Sequence, residues 1–173
     1  TSFVYRSLKN GDIDIYPEYS GTAIMTLLEQ EPVSIDDEEV FEQAKKGLLE
    51  QDELVFLQPM GFNNTYALAV PEEFAETNDI NTITDLDGAK NEIKAGFTLE
   101  FSDREDGYLG IQEVYGITFP NLTTMQAKLR YQAVESGDVN LVDAYSTDAE
   151  IKQFDLRVLE DDKNLFPPYQ GAA

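Results

Sequence analysis

Four of the nine tyrosines occupy positions where a side chain is available to a ligand rather than to a core. Each lies beside a strand end, a turn or a proline pair, and none falls on the apolar face of a helical pattern. They are Tyr19, Tyr66, Tyr145 and Tyr169. Ring faces attract quaternary ammonium groups, which have no N–H to donate to a carboxylate. The four tyrosines therefore predict a site for a methylated cation, whereas Tyr5, Tyr108, Tyr115 and Tyr131 lie in helical patterns and are expected to pack.

Two of these tyrosines belong to a pattern that occurs twice. Residues 11–20 and 137–146 each begin with a Gly-Asp turn, continue as an apolar strand and end in Tyr-Ser before a helical pattern. Open α/β sheets bind ligands at the carboxyl ends of strands, and helix N-termini offer free N–H groups to a carboxylate. Two related lobes are one interpretation. Chance similarity of two strand–helix units is the other, since Ser and Thr are also ordinary helix caps.

The composition excludes several classes of protein. The 173 residues include 34 acidic and 12 basic side chains, a net charge of −22, with no His and no Cys. This charge is unsuited to nucleic acid and to anionic lipid, and the missing residue types exclude disulfides, Cys/His zinc sites, thiol nucleophiles and Ser-His-Asp triads. No apolar run approaches the roughly 20 residues of a membrane span, so this segment is not expected to insert into a membrane. No metal or other cofactor is expected, because the acidic turn at 103–107 lacks calcium-loop spacing.

Helical and strand patterns alternate along the chain, which indicates an α/β protein with mainly parallel sheets. The predicted strands are 13–16, 54–57, 65–70, 93–99, 139–142 and 156–159. The main predicted helices are 1–9, 20–30, 34–51, 107–115, about 123–136 and 148–154. In the helix at 34–51, Val40, Phe41, Ala44 and Leu48 share one face, which is expected to be buried.

Several motifs together identify a family. They include Tyr-Pro-Glu-Tyr-Ser-Gly-Thr in 10–23, Gly-Phe-Asn-Asn-Thr-Tyr in 61–70, Glu-Phe with the later Arg and Asp-Gly in 100–107, Ala-Tyr-Ser-Thr-Asp in 144–148, and Phe-Pro-Pro-Tyr in 159–169. These stretches resemble the substrate-binding proteins of osmoprotectant ABC importers, the glycine betaine/carnitine/choline-binding family. Any one motif alone would be weak, but the resemblance covers nearly the whole chain.

The resemblance implies a two-lobed α/β fold of the type II periplasmic-binding-protein kind, which closes on its ligand. Residues 1–62 and 148–173 would form one lobe, and residues 63–147 the other. Family members carry a further strand–helix unit before the position of Thr1 and further helices after that of Ala173. The first lobe is therefore expected to be incomplete in this fragment.

The resemblance also assigns a ligand site. The four tyrosines named above would form an aromatic cage around a trimethylammonium group. Arg104 would contact the ligand carboxylate, although its acidic neighbours also fit an ordinary surface arginine. Thr22 would bond to the carboxylate tail, and Asn64 either reaches the same tail or shapes its turn. A neutral Thr22 favours zwitterions such as glycine betaine, carnitine or ergothioneine, with choline still open.

The function implied is capture of a quaternary ammonium solute outside the cytoplasm and delivery to the membrane permease of an ABC transporter, with no catalysis. The protein would be a surface lipoprotein, a periplasmic protein or a domain fused to its permease. One alternative is a ligand-sensing or interaction module of the same fold without a transport role. Another is a glycosidase that uses Glu18 and Asp148 as acid and base, since paired carboxylates perform that chemistry.

Overall fold

The computed structural model describes residues 2–173, which divide into two compact units. Unit 1 comprises the described residues up to Thr65 together with Pro167–Ala173, and unit 2 comprises Tyr66–Phe166. The chain thus returns to unit 1 after Phe166, whereas the sequence placed this boundary after residue 147. The difference arises because the strand at Leu156–Val158 pairs with the first strand of unit 2.

Unit 1 is built from helices around a small sheet. Its elements are α1 (Ser2–Lys9), β1 (Glu18–Tyr19), α2 (Ser20–Thr22, continued as a π-helix over Ala23–Leu27), α3 (Asp37–Asp52) and β7 (Gly171–Ala172). Strands β1 and β7 pair antiparallel. The side chain of Asp36 caps α3 by accepting the N–H groups of Glu38 and Glu39. The buried face predicted for this helix is confirmed, because its four apolar residues lie in the core of the unit.

Unit 2 contains a five-stranded mixed sheet in the order β4-β3-β5-β2-β6. Its strands are β2 (Tyr66–Pro71), β3 (Lys94–Thr98), β4 (Asn121–Met125), β5 (Leu141–Tyr145) and β6 (Leu156–Val158). Its helices are α4 (Glu72–Asn78), α5 (Leu86–Ala89), α6 (Leu99–Ser102), α7 (Tyr108–Gly110, continued as a π-helix over Ile111–Tyr115), α8 (Ala127–Glu135) and α9 (Glu150–Gln153). Strand β3 runs parallel to β4 and β5, but β2 is antiparallel to β5 and β6. The expectation of mainly parallel pairing is therefore wrong.

Three predicted elements differ in the structure. Residues 13–16 and 54–57 are irregular rather than strands. The backbone N–H groups of Leu57 and Met60 instead donate to the carbonyls of Ala173 and Gly171. Residues 121–125 form edge strand β4, so the helix expected from about residue 123 begins only at Ala127, as α8. The β-branched threonines of that segment suit a pleated strand better than a helix start.

Candidate functional site

Two of the predicted tyrosines meet in unit 2. Tyr66 begins β2, Tyr145 ends β5, and the two residues are direct partners across the antiparallel pair. Their ring centroids lie 5.2 Å apart with the planes inclined by 31°. Residues 79 positions apart in the sequence therefore form one aromatic pair, because cross-strand side chains on one face of a sheet are neighbours.

Two phenylalanines extend this pair. The rings of Phe101 and Phe166 lie 5.3 and 6.3 Å from that of Tyr66, measured between centroids. Tyr66 is consequently buried, whereas Tyr145 is partly exposed. The sequence did not predict either phenylalanine as a member of this cluster. Only their positions inside the Glu-Phe and Phe-Pro-Pro-Tyr motifs could have indicated a role in the cluster. In the sequence, a phenylalanine of a binding site otherwise looks the same as a phenylalanine of the core.

Arg104 lies on the same cluster. Its guanidinium carbon is 5.5 Å from the centroid of Tyr66, within the range of a cation–π contact. Its Nε and NH2 groups each donate to a carboxylate oxygen of buried Asp106 at 2.6 Å. The Arg104 side chain is only 16% exposed, so it is not an ordinary surface arginine. Its predicted contact with a ligand carboxylate stays a prediction.

The segment after β5 was expected to begin a helix next to Tyr145, as the matching segment does next to Tyr19. Here the doubled pattern breaks down, because Ser146 lies in a turn, whereas Ser20 begins helix α2. The turn is closed by Asp148, whose carboxylate accepts the N–H of Tyr145 at 3.0 Å. The two Gly-Asp turns do share a backbone conformation, since Gly11 and Gly137 have φ of 75° and 73°.

In unit 1, Tyr19 packs beside the last strand. It pairs in register with Gly171 of β7, and its ring meets that of Phe62 edge to face at 6.4 Å between centroids. A Cβ atom on Gly171 would lie 3.0 Å from the Phe62 ring and 3.4 Å from that of Tyr19. Glycine at this position therefore allows the two rings to approach the strand.

Tyr169 is fixed in unit 1 through its backbone and its ring. Its N–H donates to Oδ1 of Asn63 at 2.7 Å, and its carbonyl accepts the N–H of Asn64 at 3.0 Å. Its ring covers Gly21, where an added Cβ would lie 2.8 Å from the ring. Unit 1 thus brings together the backbone of Asn64, the start of α2 and Tyr169. Thr22 is buried one residue further along α2.

The carboxylates of the glycosidase hypothesis already have partners within their own units. Glu18 accepts hydrogen bonds from the hydroxyl of Tyr16 at 3.0 Å and the N–H of Tyr19 at 2.9 Å. Asp148 accepts bonds from Arg130 and Tyr131, each at 2.5 Å. Both carboxylates therefore serve local structure.

The buried tyrosines make the stability of the fold depend on pH in the alkaline range. Burial raises the pKa of six of the nine tyrosines above the ordinary value near 10: Tyr5, Tyr16, Tyr66, Tyr115, Tyr131 and Tyr145. Because the folded pKa exceeds the unfolded one, their contribution to stability is complete below about pH 10 and is lost as the pH rises further. In an absorbance titration at 295 nm we expect these phenols to ionise together with loss of the far-ultraviolet circular dichroism. A titration of all nine near pH 10 in the folded protein would contradict this.

Comparison with known proteins decides the family. A family model described as the substrate binding domain of ABC-type glycine betaine transport systems matches residues 1–173. The chain belongs to this family. Its members are transport substrate-binding proteins and not enzymes, so the family gives the glycosidase hypothesis no support.

Two relatives and one solved structure are similar to this substrate-binding domain over nearly its whole length. The chain is 38% identical over 99% of its length to the ergothioneine transport permease/ergothioneine binding protein of Helicobacter pylori strain G27. It is 34% identical over 98% of its length to the carnitine transport binding protein of Listeria monocytogenes serotype 1/2a. A crystal structure of a glycine betaine/carnitine/choline ABC transporter superposes on 99% of the chain with a TM-score of 0.78 and 32% identity. These similarities show the periplasmic-binding-protein-like α/β fold that the sequence predicted.

The matches cover the chain almost completely but only part of the relatives. The chain spans 30% of the Helicobacter protein, 55% of the Listeria protein and 63% of the crystallised chain. Among residues 2–173, no helix has the length and apolar character needed to cross a bilayer. The same residues contain no group of three or more acidic side chains arranged to hold a metal ion.

Proposed function

We propose that this domain captures a quaternary ammonium solute for an ABC importer. The observation on which the proposal rests is the Tyr66–Tyr145 pair, in a family described by its glycine betaine transport. Both rings already have a guanidinium group within cation–π range, 5.5 Å for Arg104 over Tyr66 and 5.3 Å for Arg130 over Tyr145. Each ring face is worth about 0.5–2 kcal/mol to a cation.

The ligand chemistry follows from what the related proteins are named for. Glycine betaine, carnitine and ergothioneine share a trimethylammonium group and a carboxylate, and choline shares only the first. We propose that Tyr66 and Tyr145 of unit 2 bind the trimethylammonium group. Arg104 of the same unit would bind the carboxylate. The ligand-binding roles of Tyr19, Thr22, Asn64 and Tyr169 in unit 1 stay predictions. Arg104 then shares its guanidinium group between Asp106 and the ligand.

Delivery requires a partner. We propose that the full-length protein works outside the cytoplasm and delivers the ligand to the membrane permease of its transporter, as a lipoprotein, a periplasmic protein or a fusion with that permease. A sensing module would bind the same ligands and differ only in its partner.

Calorimetry of the full-length protein tests the proposal. The probes are glycine betaine, carnitine, ergothioneine, choline and 3,3-dimethylbutanoate, an isostere of glycine betaine that has carbon in place of the ammonium nitrogen. We expect saturable binding of at least one betaine and at least tenfold weaker binding of the isostere, since the rings act on the positive charge.

Variants of the tyrosine pair complete the test. Tyr66→Ala and Tyr145→Ala should each weaken betaine binding about 10- to 30-fold, the equivalent of up to about 2 kcal/mol for a lost ring face. Tyr66→Phe keeps the ring face and should bind within threefold of wild type. Tyr115→Phe, at the end of α7, serves as a control outside the pair. Equal binding of betaine and isostere, or turnover of any probe, would refute the proposal.

A further inference from the structure

A buried arginine lies against Tyr145 and is not needed for any role assigned so far. Arg130 projects from α8, is 3% exposed, and donates NH1 to Asp143 at 2.9 Å and NH2 to Asp148 at 2.5 Å. Its Nε is buried and makes no hydrogen bond with the residues the structure describes. Burial alone lowers the pKa of this guanidinium, but Asp143, Tyr131 and Asp148 together raise it, so it stays charged.

The same arginine contacts both the ring and the backbone anchor of Tyr145. Its guanidinium carbon lies 5.3 Å from the Tyr145 ring centroid. Asp148, which Arg130 binds, also accepts the backbone N–H of Tyr145 and the hydroxyl of Tyr131. Asp143 lies two residues before Tyr145 on β5, which places it on the same face of the sheet.

The far side of this network is equally fixed. Asp143 is fully buried and accepts the N–H of Thr98 at 2.7 Å and its hydroxyl at 2.9 Å. Thr98 in turn caps α6, the helix that contains Phe101. One connected set of hydrogen bonds therefore runs from α8 through β5 to α6, and the ring of Phe101 in α6 packs on Tyr66. Buried hydrogen-bond networks of this kind rigidify the groups they hold.

We propose that Arg130 is a positioning residue for the ligand cage: it orients the Tyr145 ring for a quaternary ammonium group without contacting the ligand. The inference rests on the proposed function. Tyr145 needs such support because it is the last residue of β5 and is followed by exposed residues 146 and 147. A ring that is already oriented loses no rotational freedom on binding, which is how preorganisation improves affinity.

Substitution of the arginine tests the proposal in the full-length protein. Arg130→Met removes the ring contact and the link to Asp148, and should weaken glycine betaine or carnitine binding more than tenfold. Arg130→Lys keeps the charge but cannot span both carboxylates, and should fall between this variant and wild type. The matched control is Arg157→Met on β6, which loses a carboxylate-paired arginine of the same unit and should change affinity less than twofold.

A measurement on the ligand-free protein separates positioning from general damage. Protein labelled with 3-fluorotyrosine gives one fluorine resonance per ring, and Tyr145→Phe assigns that of Tyr145. In Arg130→Met we expect this resonance to shift and broaden, while that of Tyr115 stays within its wild-type line width. Asp148→Asn, at a partly exposed position, should give a smaller change of the same kind and serves if Arg130→Met does not fold.

The affinity and fluorine measurements can each overturn the positioning role of Arg130. An unchanged Tyr145 resonance, or wild-type betaine affinity in a folded Arg130→Met protein, would overturn the positioning role. If wild-type protein binds none of the probes, the proposed function fails, and the fluorine spectra still show whether Arg130 orients the ring.

Discussion

Replacing Asp143 with alanine should lower the free energy of unfolding by about 3–5 kcal/mol, as measured by urea denaturation followed by circular dichroism. The carboxylate is 0% exposed and is the partner that neutralises Arg130, whose side chain is 4% exposed. Its removal leaves a buried guanidinium with Asp148 alone, together with two donors of Thr98 that lose their acceptor. A buried ion pair broken on one side is costly because the remaining charge stays away from water.

An exposed ion pair in the same unit provides the control. Lys90 and Asp87 lie 2.8 Å apart, but their side chains are 44% and 58% exposed. Asp87→Ala should change the free energy of unfolding by less than about 0.5 kcal/mol, because water solvates both charges when the pair is lost. Equal effects of the two substitutions would show that Asp143 does not neutralise a buried charge. The reverse substitution, Arg130→Met, is expected to be milder, since burial raises the pKa of Asp143 and lets it take up a proton.

The Arg130–Asp143 pair also shows where sequence reasoning ends. A charged residue in a helical pattern ordinarily faces solvent, and the local pattern around Arg130 contains nothing to suggest otherwise. Its burial depends on Asp143, which sits inside an otherwise apolar strand, Leu-Val-Asp-Ala-Tyr. The carboxylate within this apolar strand was the one feature of the sequence that indicated a buried ion pair. It indicates a buried partner without telling which of the 12 basic residues supplies it.

The hydrophobic pattern of the sequence also could not predict whether neighbouring strands pair parallel or antiparallel. Apolar runs identify β2, β3 and β5, but parallel and antiparallel neighbours have the same side-chain period. Direction depends on where the chain returns, and the antiparallel pairing of β2 with β5 joins segments that the sequence separates by five helices. The Tyr66–Tyr145 contact is a direct result of that pairing. The sequence predicted both tyrosines as site residues from their positions at strand ends and not from their pairing.

Replacing Gly107 with alanine should both destabilise the protein, by about 3 kcal/mol, and weaken betaine binding more than tenfold. An added Cβ would overlap the carbonyl oxygen of Phe101 and lie 3.1 Å from its carbonyl carbon and 3.3 Å from the Cβ of Arg104. The obstructing atoms are backbone, which cannot rotate away, so the cost falls at the upper end for overpacking. The turn must open, which displaces the Arg104–Asp106 pair from Tyr66.

Gly88 provides the matched control for this turn. It lies in α5 and an added Cβ there would meet no atom within 4 Å, so Gly88→Ala should leave affinity unchanged and raise stability by up to about 1 kcal/mol. Thermal unfolding and calorimetry on both variants distinguish two roles of the turn. A stability loss in Gly107→Ala with wild-type affinity would mean that Arg104 does not contact the ligand. Loss of both is expected if the close approach of Gly107 to Phe101 is what holds Arg104 on the aromatic cluster.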